Sequence, residues 1–281
     1  MVGADGLIGR VLSERLVLAG KQVVETTRQS DTVAERRIFL DLSENISNWR
    51  PPCHISVAYI CAAVSSIEYC RKYATQSAVV NIHNTVELAI ILVKRGTFVI
   101  FPSTNLVYDG SVPFRKADDS VCPTTEYGRQ KAEAERQLLL LGKLTSVVRF
   151  TKILSFRMPL FEGWIKALKK NEVIHPFSDM VMAPVRVDFA VDVLCRVGEV
   201  SMSGILQVSG NKDITYEQVA KHLAAHAGCQ PSLVQPVKFI EAYPDAEAVT
   251  IHTTLDTNRL NMELKMKTPN IWLSIGSVVD I

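Results

Sequence analysis

Five short runs rich in β-branched and aromatic residues recur along the first 150 residues of the chain: "KQVVETT" (21–27), "RRIFLDL" (36–42), "HISVAYICAA" (54–63), "TFVIFPST" (97–104) and "LTSVVRF" (144–150). Strands apolar on both sides have no face to give to water, so these runs predict a parallel sheet covered by helices on both faces and joined by right-handed crossovers. Between the runs, Leu7, Ile8, Val11, Leu12 and Leu16 fall at helical spacing over 7–19 and stop before Gly20, a natural helix end. Further helices are predicted over roughly 66–95 and from Thr125 to about Leu141. The expected class is α/β, a Rossmann-like doubly wound parallel sheet.

After residue 150 the pattern changes. Residues 159–184 read as helix, turn and short strand, "VRVDFAVDVLCRVGEV" and "SGILQVSG" read as a return to the sheet, and 215–228 reads as another helix before a looser tail. The expected division is a nucleotide-binding domain over 1–155, with 185–210 returning to its sheet, and a smaller substrate lobe built from 156–184 and 211–281.

Composition narrows the class of partner. A net charge of +2, from 31 basic and 29 acidic residues, gives no electrostatic preference for nucleic acid or anionic membrane. Apolar runs such as "AIILV" are too short to cross a bilayer, and no signal-peptide pattern precedes the fold. Six cysteines, at 53, 61, 70, 122, 195 and 229, form no CxxC pair and read as reduced, buried thiols of a cytoplasmic protein. His175 and the pair His222/His226 lack a third plausible ligand, so no metal is expected.

Gly3, Gly6 and Gly9, with Asp5, Leu7 and Ile8 between them, form a GxxGxxG loop that leads directly into a helix and then a strand. That order suits a turn that brings backbone N–H groups and a helix N-terminus up to a pyrophosphate. Only Met1 and Val2 precede the loop, whereas strands average roughly 5–6 residues. A truncated first strand is therefore expected, with a start several codons upstream. At the end of the second strand, Thr26, Thr27 and Arg28 stand where an acidic residue would select a free ribose 2′-hydroxyl. Arg28, helped by Arg36 or Arg37, could pair with a 2′-phosphate, so NADP(H) is favoured and NAD(H) possible.

Tyr127 and Lys131 in "YGRQK" share one helix face, an arrangement in which the ammonium can lower the phenol pKa while also holding a cofactor ribose. A phenol so placed can exchange a proton as hydride moves. Ser103 and Thr104 close the fifth strand, at the edge where open α/β sheets collect ligands, and a hydroxyl there could polarise a substrate carbonyl.

Together "GADGLIG", "STNLVYDG" and "YGRQK" resemble the extended short-chain dehydrogenase/reductase superfamily, and within it the dTDP-4-dehydrorhamnose reductase-like sugar-nucleotide-binding proteins. Further likeness lies in Asp41-Leu42, Ala62-Ala63, Asn81, Arg149, "FSDMVMAPVRVDFAVDV", "GILQVSG" and "LDTNRL". The resemblance implies an NAD(P)-dependent oxidoreductase whose Gly3, Gly6 and Gly9 wrap the pyrophosphate. It implies that Asp41 and Leu42 flank the adenine, that Ala62 and Ala63 line the cofactor groove, and that Thr104, Tyr127 and Lys131 are the catalytic set. The implied reaction is reduction of a 4-keto nucleotide sugar, with the proton from Tyr127.

The sequence also departs from that pattern. Asn105-Leu106 stands where the family usually has Asp-Tyr, Val64 replaces a histidine after the alanines, and Lys152 lies in a stretch where rhamnose enzymes typically have a tryptophan. Val64, Asn105, Lys152 and Arg186 are therefore candidate substrate residues beside Thr104 and Tyr127, the two cations as partners for a substrate diphosphate. Two alternatives stand beside this reading: within the same superfamily, an NAD-dependent epimerase or dehydratase, and, from the altered pocket and shortened N-terminus, a non-catalytic NADP-binding regulatory subunit. The helices near 66–95 and 125–141, with "LLLL" at 138–141, are expected to form a homodimer interface.

Overall fold

The architecture was obtained as a computed structural model, which describes residues 1–52, 54–244 and 250–276. The strands are β1 (Glu25–Thr27), β2 (Arg37–Phe39), β3 (Val57–Tyr59), β4 (Phe98–Thr104), β5 (Thr145–Phe150), β6 (Ile153–Leu154), β7 (Val181–Met182), β8 (Val185–Arg186), β9 (Gly204–Val208) and β10 (Ile214–Thr215). β3, β4, β5 and β9 form one parallel sheet in that order, and β1 pairs with β2 in parallel alongside.

Met1 and Val2 stitch these two pieces together. Val2 N–H donates to the Tyr59 carbonyl and Cys61 N–H to Val2, while Thr26 N–H donates to Met1 and the Met1 ammonium to Val24 (2.6–2.9 Å). These two residues hold the position expected for the central strand, so the full order is β2, β1, Met1-Val2, β3, β4, β5, β9. Beside them a cavity of about 820 Å³ runs between residues 21–24 and 54–57. "KQVVETT" consequently forms ladder only from Glu25 onward, because a strand needs a neighbour to satisfy its N–H and carbonyl groups.

The helices are α1 (Leu7–Leu18), α2 (Ile67–Lys72), α3 (Ala74–Ala78), α4 (Thr85–Val93), α5 (Glu126–Leu139), α6 (Pro159–Lys169), α7 (Val187–Val200), α8 (Tyr216–His226), α9 (Phe239–Ala242), α10 (Asn258–Glu263) and α11 (Ile271–Gly276). One sheet face packs Ile100, Val148 and Leu206 against Leu12 of α1 and Ala190, Leu194 and Val197 of α7. The other packs Val99, Phe101 and Val147 against Leu88 and Leu92 of α4 and Ala134 and Leu138 of α5. A third apolar cluster, with Phe161, Met182, Leu223 and Ile271, is the core of the smaller lobe.

Several expectations are corrected. "VRVDFAVDVLCRVGEV" is mainly helix rather than strand. Val187, Ala190, Val191, Leu194 and Val197 recur at helical spacing and bury one face against the sheet, which overrides the strand preference of valine. The region 66–95 is broken at Tyr73 and contains a π-helical stretch at Val79–Asn84. Helix α10 and Leu264, assigned to the lobe by pattern, pack on the sheet core instead, and Arg259 donates to the carbonyls of Ser203 and Ile205 (2.7–2.9 Å).

In "LLLL", Leu138 is fully buried and Leu139 and Leu141 pack on the core, leaving only Leu140 exposed (76%). The helical run Ala74–Val93 is long and apolar enough to cross a membrane. Its Val86, Leu88, Ala89 and Leu92 lie in the protein core. Cys61, Cys70, Cys122, Cys195 and Cys229 are free thiols, and Cys53 lies outside the described residues.

Candidate active site

The loop after Val2 owes its shape to its glycines. Gly3 has φ +80°, and a Cβ there would lie 2.6 Å from the Ala62 backbone nitrogen; one on Gly9 would lie 2.1 Å from the Gly3 carbonyl oxygen. Only glycine lets the loop fold back on its own helix while resting on the Ala62-Ala63 segment. Gly6 begins α1 without a side-chain cap, and the first turn carries no acidic residue. The helix therefore presents unsatisfied N–H groups and a positive dipole end.

These N–H groups face a cavity of about 1060 Å³ at the carboxyl ends of β4 and β5. Gly6, Leu7, Ile8, Gly9 and Ala63 line one end, Ser103, Thr104 and Asn105 the centre, and Tyr127, Lys131 and Lys152 the sides. The buried Ser103 hydroxyl finds no partner among the described residues. An unsatisfied hydroxyl, a glycine cradle and a free helix end suit a dinucleotide cofactor chemically.

Thr104 Oγ1 accepts from Leu106 N–H (3.2 Å), which leaves its own hydroxyl hydrogen free for a ligand. Tyr127 is brought opposite by α5, whose N-cap Thr125 accepts from Gly128 N–H (3.0 Å). A Cβ on Gly128 would fall 2.1 Å from the Leu106 carbonyl oxygen, so glycine is what allows α5 to approach the strand end that carries Thr104. Burial raises the Tyr127 phenol above its ordinary pKa.

Lys131 is 2% exposed; its ammonium donates to the Pro102 carbonyl (2.7 Å) and lies 3.5 Å from the centre of the Phe101 ring. Burial lowers its pKa to about 7, against the opposing effects of Glu135 and Cys61. The expected lowering of the Tyr127 pKa by this ammonium is thus not realised in this geometry: desolvation dominates both groups.

Other sequence candidates lie outside this cavity. Asp5 accepts from the Thr27 hydroxyl (2.9 Å) and pairs with Arg37, which also binds Glu25 (2.7 Å). Arg37 is therefore committed, whereas Arg28 is exposed without a partner among the described residues. Asp41 closes a turn by accepting from Ser43 N–H (2.8 Å). Leu42 buries its side chain in the core, so only its backbone can face a ligand. Arg186 pairs with Asp188 at the start of α7 and does not line the cavity.

Val64 does not line it either. Its N–H and carbonyl bind the Asn81 amide (2.8 and 2.9 Å), and Asn81 also donates to Gln130 Oε1 (2.8 Å). This link joins the Ala62-Ala63 wall to the helix bearing Tyr127 and Lys131. Sequence reasoning missed Gln130; the only signal was a polar residue inside the YxxxK turn. It also missed Arg71, Tyr216, Phe239 and Tyr243 on the cavity wall. Asp213 was missed too. It accepts from the N–H and hydroxyl groups of Thr253 and Thr254 (2.8–3.1 Å) and so holds the segment that brings Thr253 to the wall. Among the described residues no cluster of three metal-ligating side chains is present.

Fold and site define a nucleotide-cofactor-binding α/β protein of the extended short-chain dehydrogenase/reductase type. The chain belongs to the RmlD substrate binding domain family, which matches residues 1–280. It is 22% identical to the dTDP-4-dehydrorhamnose reductase of Aggregatibacter actinomycetemcomitans over 97% of this chain and 94% of that one. It is also 22% identical to methionine adenosyltransferase 2 subunit beta of Bos taurus, over 84% and 74%. In structure it is similar to a dTDP-4-dehydrorhamnose reductase from Bacillus anthracis in complex with NADP, with TM-score 0.82, 19% identity and 98% and 94% coverage. A Clostridium acetobutylicum ortholog gives TM-score 0.85, 19% identity and 98% and 95% coverage.

Proposed function

We propose that the protein is an NADPH-dependent reductase of a 4-keto nucleotide sugar. The observation that carries this reading is the single cavity that brings Thr104, Tyr127 and Lys131 to the glycine loop and the bare end of α1. Gly3, Gly6 and Gly9 would wrap the pyrophosphate with the N–H groups of Leu7 and Ile8, and Ser103 and Lys131 would hold the nicotinamide half. The Asp41-Leu42 backbone would border the adenine, Thr27 and the free Arg28 the 2′-phosphate. The bound cofactor supplies a hydride to the ketone carbon. The chain's own part is to hold that carbonyl against the Thr104 hydroxyl and to deliver the Tyr127 phenolic proton to its oxygen, which a raised phenol pKa keeps available. Lys131 and Tyr127 lie one helical turn apart, so ribose and phenol are held by one rigid element.

Similarity to a methionine adenosyltransferase subunit supports one other reading, a non-catalytic NADP-binding subunit. Tyr127→Phe separates the two. The phenol has no hydrogen-bond partner among the described residues, so the variant should fold as stably as the parent. A reductase should lose about 10²–10⁴-fold in kcat. Full stability with no NADPH oxidation by the parent, across dTDP- and UDP-linked 4-keto sugars, would favour the subunit reading; NAD retained through purification would favour an epimerase or dehydratase. Homodimer formation through α2–α4 and α5 belongs with this proposal, supported by the exposed Ile67, Tyr69 and Tyr73. The five free thiols support a cytoplasmic setting.

A further inference from the structure

The large cavity contains an imbalance of charge. Among the described residues, Arg71, Lys131 and Lys152 line it against a single acid, Glu68. Lys131 is already placed on Pro102 and Phe101, and Arg71 lies in the last turn of α2, three residues after Glu68. Lys152 remains. No carboxylate lies within ion-pair reach of it among the described residues, and desolvation alone depresses its pKa.

Its backbone is fixed. The Thr151 hydroxyl bonds the Ala183 carbonyl, Val185 N–H donates to the Lys152 carbonyl (2.9 Å), and β6 continues into a pairing with β8. Thr151 and Lys152 link β5 to β6 and both line the cavity, Thr151 buried and Lys152 exposed on its wall. A cation on a rigid base in a cavity wall, with no counter-ion among the described residues, is a site for an anion on the ligand.

Register decides which anion. Phe150, two residues before Lys152, is the direct neighbour of Thr104 across the β4–β5 ladder. If Thr104 holds the ketone oxygen, as the function proposed above requires, Lys152 lies at the ketone end of the sugar. The diphosphate is carried by the anomeric carbon, across the ring from a 4-ketone. The substituent next to the ketone is the one on C5.

We propose that the sugar accepted by this site bears a carboxylate on the ring carbon adjacent to the ketone, and that Lys152 pairs with it. This rests on the reductase reading of the cavity. The reduction balances without the carboxylate taking part: hydride from NADPH goes to C4, a proton goes to O4, and NADP⁺ and a secondary alcohol result. The ammonium orients the ring through its one fixed charge, and the carboxylate in turn supplies the counter-ion that favours the charged form of Lys152.

The test is calorimetric binding, with NADP⁺ saturating, of UDP-glucuronate against UDP-glucose and of dTDP-glucuronate against dTDP-glucose. A charge-assisted pair predicts a uronate-to-hexose affinity ratio of about tenfold or more. Lys152→Met should bring the ratio near one, Lys152→Arg should keep most of it, and Arg71→Met should leave it intact. A parent ratio near one overturns the proposal. So does a Lys152→Met variant that weakens both ligands equally, since Lys152 would then be reading the diphosphate. If none of the four nucleotide sugars binds, the reductase reading itself fails and the assignment of Lys152 with it.

Discussion

An alanine at position 128 would place its Cβ 2.1 Å from the Leu106 carbonyl oxygen and 3.1 Å from the Pro123 side chain. Both oxygen and Cβ belong to backbone-anchored groups, so neither can rotate away. Restoring van der Waals contact requires roughly 1 Å of movement between the start of α5 and the Asn105–Val107 turn, and overpacking of this kind costs about 1–3 kcal/mol. The helix preference of alanine over glycine returns up to about 1 kcal/mol, so the net loss of stability should be small, about 0–2 kcal/mol. The catalytic loss should be large. Tyr127 precedes Gly128, Thr104 ends the strand that leads into the turn, and a 1 Å misplacement of reacting groups can cost about 10²-fold. Gly163→Ala in α6 is the matching control: nothing lies within 4 Å of the added Cβ, and the substitution should be neutral or slightly stabilising. The assay is NADPH oxidation with a 4-keto nucleotide sugar, paired with urea unfolding of each variant. A Gly128→Ala enzyme within twofold of the parent kcat would refute the idea that this close approach sets the separation of Tyr127 from Thr104.

Glu135 and Arg149 are each 2% exposed and meet through three bonds of 2.7–3.2 Å, while Arg149 also donates to the Tyr108 hydroxyl (2.6 Å). Glu135→Gln should therefore cost about 3–5 kcal/mol in urea unfolding, because it leaves a buried guanidinium without its charge partner. A Glu135→Leu/Arg149→Met double variant should recover much of that loss. Lys131 titrates near pH 7 in the fold against its ordinary 10.5, so the folded state binds fewer protons than the unfolded chain between those values. The penalty for burying the ammonium is full below about pH 7 and fades toward 10.5. Relative to Lys131→Met, the parent should gain stability as pH rises from 7 to 10, and parallel curves would contradict this. Arg28→Glu should lower kcat/KM for NADPH by about tenfold or more relative to NADH, since it replaces a charge-assisted phosphate partner with a like charge. An unchanged ratio would make Arg28 a solvated side chain only.

The sheet was legible because its strands are covered on both faces and so carry continuous apolar runs, as at 97–104 and 144–150. The same burial hid α7. Packed on the sheet beside α1, it needs apolar residues, many of them valine, and reads locally like a strand. Catalytic candidates were legible for a related reason: Thr104 ends a strand and Tyr127 and Lys131 share a helix face, both of which are short-range facts. What sequence could not give was the pairing of side chains distant along the chain. Asp5 and Glu25 claim Arg37, Asp188 claims Arg186, and the Lys131 ammonium turns to a strand carbonyl rather than to the phenol one turn away.

If the proposed function holds, the contrast between anchored and free groups in the cavity separates chemistry from selectivity. Thr104 is fixed by Leu106 N–H, Tyr127 by the Gly128 approach, Lys131 by the Pro102 carbonyl, and the helix carrying the last two by Gln130 and Asn81. Each anchor is backbone or a buried amide, so a substitution elsewhere on the wall leaves it in place. Lys152 is different: its backbone is held by β8, but its side chain makes no hydrogen bond or ion pair among the described residues. Exchanging it alters what the cavity attracts without moving the groups that react. On the proposed function, a chain of this architecture could depart from its relatives at the sugar end and keep the reaction, provided that the departures fall on side chains like Lys152 that hold no other group in place.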